Sequence, residues 1–245
     1  MIVGSHNSRY SLVREELLSI IRELASAGRD EVNKLPTEEE LARRLGVSVA
    51  TVREALRMLE REGIVSKRHG AGNFYHRSAL ELNMRIDTIL HFSELLRDGG
   101  HDVTERCESV SFRSADEEEQ RCFGISGEYF AYSWLYLADG KVAIYTTNLV
   151  PAELLGKKER REIEVQSNVM EFIWRYTGER ITNANVSIEP RLASERELWA
   201  FEAEGPLSLI EWNQTFYNHR DKPVAYVRVA FNPSIVKMHL LQKWS

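Results

Sequence analysis

The sequence predicts an α+β protein of two domains: a small helical domain closed by a hairpin, then a larger antiparallel sheet carrying helices. Three observations predict it. Helical periodicity with matched start and stop residues recurs up to Gly63, a glycine-rich basic loop separates two short β runs between residues 64 and 75, and beyond residue 85 apolar and aromatic runs are divided by turn pairs. With 245 residues, 43% of them hydrophobic, the chain can build a core in each domain without disulfides or metals.

Between Tyr10 and Ala27, Leu12, Val13, Leu17, Leu18, Ile20, Ile21 and Leu24 keep helical spacing, and Gly28 is a suitable stop. A second helix starts at Thr37, whose side chain can cap it while Glu40, three residues on, completes a capping box; it stops at Gly46. Ser48 caps a third helix, Val49 to Glu62, with Val52, Leu56 and Leu59 facing inward and Gly63 ending it. Two short helices joined by a tight turn form a helix-turn-helix pattern. Ile64-Val65 and Asn73-Phe74-Tyr75 then flank the loop Ser66 to Gly72 as the two strands of a wing. The first domain is expected to cover residues 1–77, with a linker at 78–85 and the second domain at 86–245.

In the second domain the clearest piece is Tyr129 to Asn148, two apolar and aromatic runs around Asp139-Gly140, a pair that accepts the positive φ of a tight hairpin. Leu207 to Tyr217 and Pro223 to Phe231 read as a second hairpin. Asn168 to Tyr176 and Ser194 to Ala203 read as helices, and the run Asp116 to Glu119 as a capped, solvated helix start. The mix implies an antiparallel sheet with helices on one face, and no internal repeat is evident.

The formal charge of −5 divides unevenly, +2 over residues 1–77 and −7 over the remainder, so only the first domain is cationic. That permits phosphate binding without demanding it. Cys107 and Cys122 fit neither a disulfide framework nor a zinc pattern and read as core thiols of a cytoplasmic protein. Nothing resembles a signal peptide or a membrane span, and no nucleophile elbow, P-loop or dinucleotide fingerprint is present, so no enzyme, metal or cofactor is expected.

The segment Leu35 to Tyr75 resembles the winged helix of GntR-family regulators. It carries Leu35-Pro36-Thr37-Glu38, Leu41-Ala42, Gly46-Val47-Ser48, Thr51-Val52-Arg53-Glu54-Ala55-Leu56, Leu59 to Gly63, and the wing Gly70-Ala71-Gly72. The remainder resembles the UTRA domain of the HutC-type subfamily, whose fold is similar to chorismate lyase, at Leu137 to Lys141, Asn148 to Pro151, Val169 to Gly178, Ala193 to Leu207 and Lys222 to Tyr226. The resemblance implies a transcriptional regulator, more commonly a repressor. It would be a homodimer on a pseudo-palindromic double-stranded operator, controlled by a small-molecule effector. A lyase-like enzyme fused to a winged helix, and a second domain that only dimerises, are the alternatives.

In such a domain the third helix enters the major groove and the wing approaches the backbone. The DNA-binding candidates are therefore Thr37, Ser48, Val49, Ala50, Thr51, Arg53, Arg57, Lys67, Arg68, His69 and Gly70. Family members commonly have Arg where this chain has Val49 and Glu39. Without it, apolar contact of Val49 and Ala50 with thymine methyls replaces bidentate reading of guanine, and A·T pairs are expected there.

For the effector, sugar-phosphate-sensing relatives place two arginines where this chain has Trp134 and Tyr136, a glutamate at Tyr145 and a serine at Asn168. The substitutions remove fixed positive charge and add aromatic surface. They disfavour a sugar phosphate and favour a flatter, less charged or cationic ligand. His91 and Ser93 could donate to a ligand carboxylate, and Tyr226 and Arg228 on the last strand complete the candidates. The competing reading is that aromatic residues alternating along a strand pack a sheet face.

Overall fold

The computed structural model describes residues 5–27, 33–87, 91–156 and 158–243. They fall into two compact units, Met1–Thr88 with Met238–Ser245, and Ile89–Lys237.

The first unit contains α1 (Ser5–Ser26), α2 (Glu38–Leu45), α3 (Val49–Arg61), the hairpin β1 (Val65–Arg68) and β2 (Gly72–Tyr75), and the short α4 (Arg77–Leu80). Gly28, the expected stop of α1, lies outside the described residues. Thr37 makes both bonds of its capping box with Glu40, Gly46 closes α2 with φ 64°, and the Ser48 side chain accepts from the Thr51 N–H to start α3. These caps fix the angle at which α2 and α3 meet. Leu17, Ile21, Leu41, Val52, Leu56, Leu59 and Tyr75 fill the space behind them. Each such aliphatic side chain withdrawn from water contributes about 1.5–3 kcal/mol.

The sequence ended this domain at residue 77 and gave the C-terminus to the second. Instead α4 and the segment after it fold onto the first unit, where Arg85 and His239 form a parallel bridge, with Ile86 N donating to His239 O at 2.8 Å. Side-chain anchoring explains the difference: Arg85 is buried, with its guanidinium on Glu62 O at 2.7 Å and on the Asp87 carboxylate.

The second unit is one six-stranded antiparallel sheet of order β3-β4-β5-β8-β7-β6. Its strands are β3 (Val103–Ser114), β4 (Glu128–Ala138), β5 (Lys141–Pro151), β6 (Ile181–Leu192), β7 (Ser208–Asn218) and β8 (Pro223–Phe231). Its helices are α5 (Phe92–Asp98), α6 (Glu117–Phe123), α7 (Val169–Thr177) and α8 (Glu195–Ala200). Asp139 and Gly140 turn the β4–β5 hairpin with φ 52° and 80°.

Two expectations are corrected. Helices cover both faces: Phe92 of α5 and Phe172 of α7 pack on Tyr136, Phe231, Phe130 and Tyr132, whereas Phe123 of α6 and Ala200 of α8 pack on Tyr226, Leu149, Tyr145 and Leu209 of the other face. The unit is also an internal repeat. Helix-strand-helix-strand-strand occurs twice, α5-β3-α6-β4-β5 and α7-β6-α8-β7-β8, and the sheet order is symmetric about the β5–β8 pair. The repeat leaves one sequence trace, Arg113-x-Ala115-Asp116-x-x-Glu119 and Arg191-x-Ala193-Ser194-x-x-Glu197. In each copy the last residue closes a capping box and takes a bidentate arginine from the strand before it, at 2.6 Å for Arg113 and 2.5–2.6 Å for Arg191. Too few positions match for periodicity to reveal it.

Candidate DNA-binding face and effector cavity

On the first unit, Ser48, Ala50, Arg53 and Arg57 are exposed at the start and along the outer side of α3, and Thr51 is half-buried. Val49 is half-buried and packs against the helical core, so of the two apolar residues at the helix start Ala50 is the one turned outward. Thr37 sits at the start of α2, its side chain engaged with Glu40. The wing carries Lys67, Arg68, His69 and Gly70, all exposed; the Arg68 guanidinium lies over the Phe74 ring at 4.2 Å, and Gly70 turns the tip with φ 71°.

Glu38, a residue of the Leu35-Pro36-Thr37-Glu38 motif that is not among the DNA-binding candidates, ties these parts together. Its carboxylate accepts from Arg53 of α3 at 2.8 Å and from Lys67 of the wing at 3.3 Å. Partial burial works against its charge, but Arg53 and Lys67 outweigh that and hold the carboxyl below its ordinary value. The cluster therefore stays ionised at neutral pH and fixes the wing relative to α3, both of whose cations remain about half exposed. Such a surface can contact phosphates through Arg53, Arg57 and Lys67 and base edges through Ser48, Ala50 and Thr51.

In the second unit a cavity of 540 Å³ lies on the face carrying α5 and α7, lined by His91, Ser93, Glu105, Trp134 and Asn168 among others. Glu94, Arg97, Gln166, Ser167 and Glu171 complete its polar wall with Val165. Ser93 Oγ donates to Glu105 at 2.7 Å and Ser167 Oγ does so at 3.3 Å. Asn168 caps α7: its Oδ1 accepts from the N–H groups of Met170 and Glu171, so its Nδ2, 3.1 Å from His91 Nε2, is the donor of that pair. The Trp134 indole N–H is buried with no hydrogen-bond partner among the described residues. Among those residues no group of three or more His, Cys, Asp or Glu is placed to hold a metal ion.

The model described as "Bacterial regulatory proteins, gntR family" matches residues 12–74, and the UTRA domain model matches residues 126–237. The chain belongs to the GntR family and carries a UTRA domain. The GntR match spans α1 through the wing, and the UTRA match begins just before β4 and runs past β8. The "HTH-type transcriptional repressor NagR" of Bacillus subtilis (strain 168) is 26% identical over 183 residues, covering 72% of this chain and 73% of that protein. The crystal structure of YydK from Bacillus subtilis superposes with a TM-score of 0.71 at 16% identity, over 96% of this chain and 99% of the other. PhnF from Mycobacterium smegmatis gives 0.55 at 20% identity, over 95% and 100%. At these identities the structures establish the fold.

The effector candidates of this GntR–UTRA protein do not converge on one site. His91, Ser93, Trp134 and Asn168 share the cavity. Tyr136 is buried beside it, edge-on to Phe92 at 5.6 Å with its hydroxyl on Ser167 O at 3.2 Å, so it packs the sheet face. Tyr145, Tyr226 and Arg228 occupy the opposite face. Tyr145 and Arg228 line a separate cavity of 250 Å³ there, and Tyr226 is packed between Phe123 and Tyr129. Arg228 pairs with Glu118 at 2.8 Å and Glu211 at 3.0 Å, and its Nε is buried with no hydrogen-bond partner among the described residues. Cys107 is half-buried on the edge strand β3 rather than in the core. The cavity residues missed are Glu94 and Arg97 of α5, Glu105 of β3, Val165, Gln166 and Ser167 before α7, and Glu171 of α7; the polar sequence Val103 to Ser114 hides the strand that carries Glu105.

Proposed function

We propose that this protein is a ligand-responsive repressor, a homodimer that binds a pseudo-palindromic operator in the cytoplasm and leaves it when a small cationic molecule occupies the UTRA cavity. The observation that carries the DNA-binding half is the Glu38-centred cluster, which presents Arg53 and Lys67 together beside the start of α3. Two such surfaces related by a two-fold axis match two half-sites. The name of the NagR relative supports repression as the sign. Ser48, Ala50 and Thr51 read the bases, and Ala50 favours A·T pairs through thymine methyls.

The ligand class follows from the cavity wall. Glu94, Glu105 and Glu171 outnumber Arg97, and Trp134 offers an aromatic face. A cation between an indole and carboxylates is stabilised by both, whereas a phosphate would meet the carboxylates' repulsion. Release from DNA requires the ligand to favour the DNA-incompetent arrangement by about 1–3 kcal/mol, the usual scale of coupling between sites.

Mobility shift of the protein with DNA selected from random sequence, repeated with panels of small cationic, neutral and phosphorylated compounds, tests the reading. Sequence-selective binding released by a cationic compound supports it. Failure to select any DNA overturns the repressor function, and release by phosphorylated compounds alone overturns the ligand class.

A further inference from the structure

The two edge strands of the sheet are treated differently by the sequence. An edge presents a row of unpaired N–H and C=O groups, and a protein normally blunts it with charges, bulges, proline or a covering element. β3 is blunted. It carries Glu105, Arg106, Glu108 and Arg113, a bulge between Cys107 and Ser109 and contact with α5, and only five of its twelve residues are exposed. β6 is not. Ten of its twelve residues are exposed, its one bulge lies at its first step, and no charged side chain occurs from Ile181 to Ile188. Val186 and Ile188 are 46% and 52% exposed, and they stand on one face, opposite Gln214 and Trp212 of β7.

We infer that β6 is the dimer interface, pairing antiparallel with β6 of a second copy about a two-fold axis through Ser187, so that the two sheets become one of twelve strands. The inference rests on the homodimer reading above and assigns the surface that makes the dimer. A two-fold axis perpendicular to an antiparallel pair must pass through a residue, because directly opposed residues share a face. Passing it through Ser187 uses nearly the whole strand. It sets Val186 against the partner subunit's Ile188 twice over, giving β-branched pairs across the interface. Glu189 then faces the partner's Asn185 and Arg191 the partner's Asn183, so no like charges meet. Pro190 opposes the partner's Ala184 near the end of the ladder, where its missing N–H costs least. The shared edge is about 35–40 Å long and yields about ten backbone hydrogen bonds, the number a stable interface carries.

The test uses the full chain with Cys107 and Cys122 replaced by serine where cysteines are introduced. Across the axis the Cα atoms of the two copies of residue 187 would be about 4.5–5.5 Å apart, inside the range a disulfide spans. S187C is expected to give a covalent dimer on non-reducing gels under mild oxidation. V186K/I188K opposes lysines across the interface and is expected to raise the dimer dissociation constant by about 100-fold or more in sedimentation equilibrium. V186K/I188E, which opposes lysine to glutamate, is expected to restore it. Circular dichroism melts are expected to match those of the parent protein, since residues 186, 187 and 188 are all exposed. A wild-type monomer, or a dimer indifferent to V186K/I188K that S187C does not crosslink, overturns the interface. A wild-type dimer that passes these tests but binds no selected DNA overturns the repressor reading alone and leaves the interface standing.

Discussion

Trp134 and Tyr145 stand on adjacent strands one step out of register, and their side chains leave opposite faces of the sheet. Trp134 pairs with Thr146, while Tyr145 pairs with Leu135. The pleat thus puts the indole in the cavity with Glu105 and the phenol in the separate cavity near Arg228. Trp134→Ala and Glu105→Gln are expected to weaken binding of the releasing compound by about tenfold or more, the worth of one desolvated cation–π or charged contact. Tyr145→Phe is expected to leave that affinity within twofold and to lower stability by about 1 kcal/mol through the lost bond to Ser133 Oγ. Calorimetric titration reads the first pair and thermal denaturation the last.

Arg57 and Glu38 should separate affinity from specificity. Arg57 is exposed on α3 and, among the described residues, paired only with Glu54 of its own helix at 3.1 Å. Arg57→Ala is expected to weaken all DNA sequences alike and to reduce the slope of log K against log salt by about 0.9. Glu38→Gln removes the anion that orients Arg53 and Lys67. Non-specific affinity should rise as a negative charge leaves the DNA face, while the ratio of operator to non-specific binding should fall. Salt titrations of binding to operator and to random DNA measure both quantities.

Acid should unfold the UTRA domain through Glu197 and Glu211. Burial opposes charge on both, yet Arg191 and the start of α8 hold Glu197 below its ordinary value, and Arg228, Asn213 and Arg191 do the same for Glu211. With folded values depressed, the stabilisation is complete above the unfolded carboxyl value near about 4.3 and is lost as pH falls through the folded values. The melting temperature should be flat from pH 8 to 6 and drop below about pH 4.5. Glu211→Gln should lower it at neutral pH, by leaving two half-buried arginines short of a partner, and should make the acid limb shallower.

The first domain was legible because its information is local: caps, glycine stops and the α3 periodicity each act within four residues, and the motif Leu35 to Gly72 concentrates them. The effector site was legible only in part. His91, Ser93, Trp134 and Asn168 meet in space, but which face Tyr145 takes depends on a pairing register that a bulge between Tyr136 and Leu137 offsets. A one-residue slip moves a side chain to the other face. The docking of residues 238–243 on the first unit was invisible, since it depends on contacts such as Lys243 on Glu60 that span 183 positions of sequence.

That docking can be measured at Gly63. Its φ of 73° is left-handed, and a methyl added there would meet Leu241 Cδ2 at 2.5 Å and Lys243 Cδ at 3.0 Å. Gly46 has nearly the same φ, 64°, and nothing within 4 Å. Gly46→Ala should therefore cost the conformational penalty alone, about 1–2 kcal/mol. Gly63→Ala should cost that plus the displacement of Leu241 and Lys243, whose ammonium closes the end of α3 on Glu60 O at 3.3 Å and on Arg61 O. A cation on those last carbonyls contributes about 0.3–1 kcal/mol. In a chain ending at Lys237 the excess of Gly63→Ala over Gly46→Ala should vanish, since the tail it disturbs is gone. Denaturant unfolding of the four proteins measures the coupling, and an excess that survives truncation would show that Gly63 is constrained by something other than the C-terminal tail.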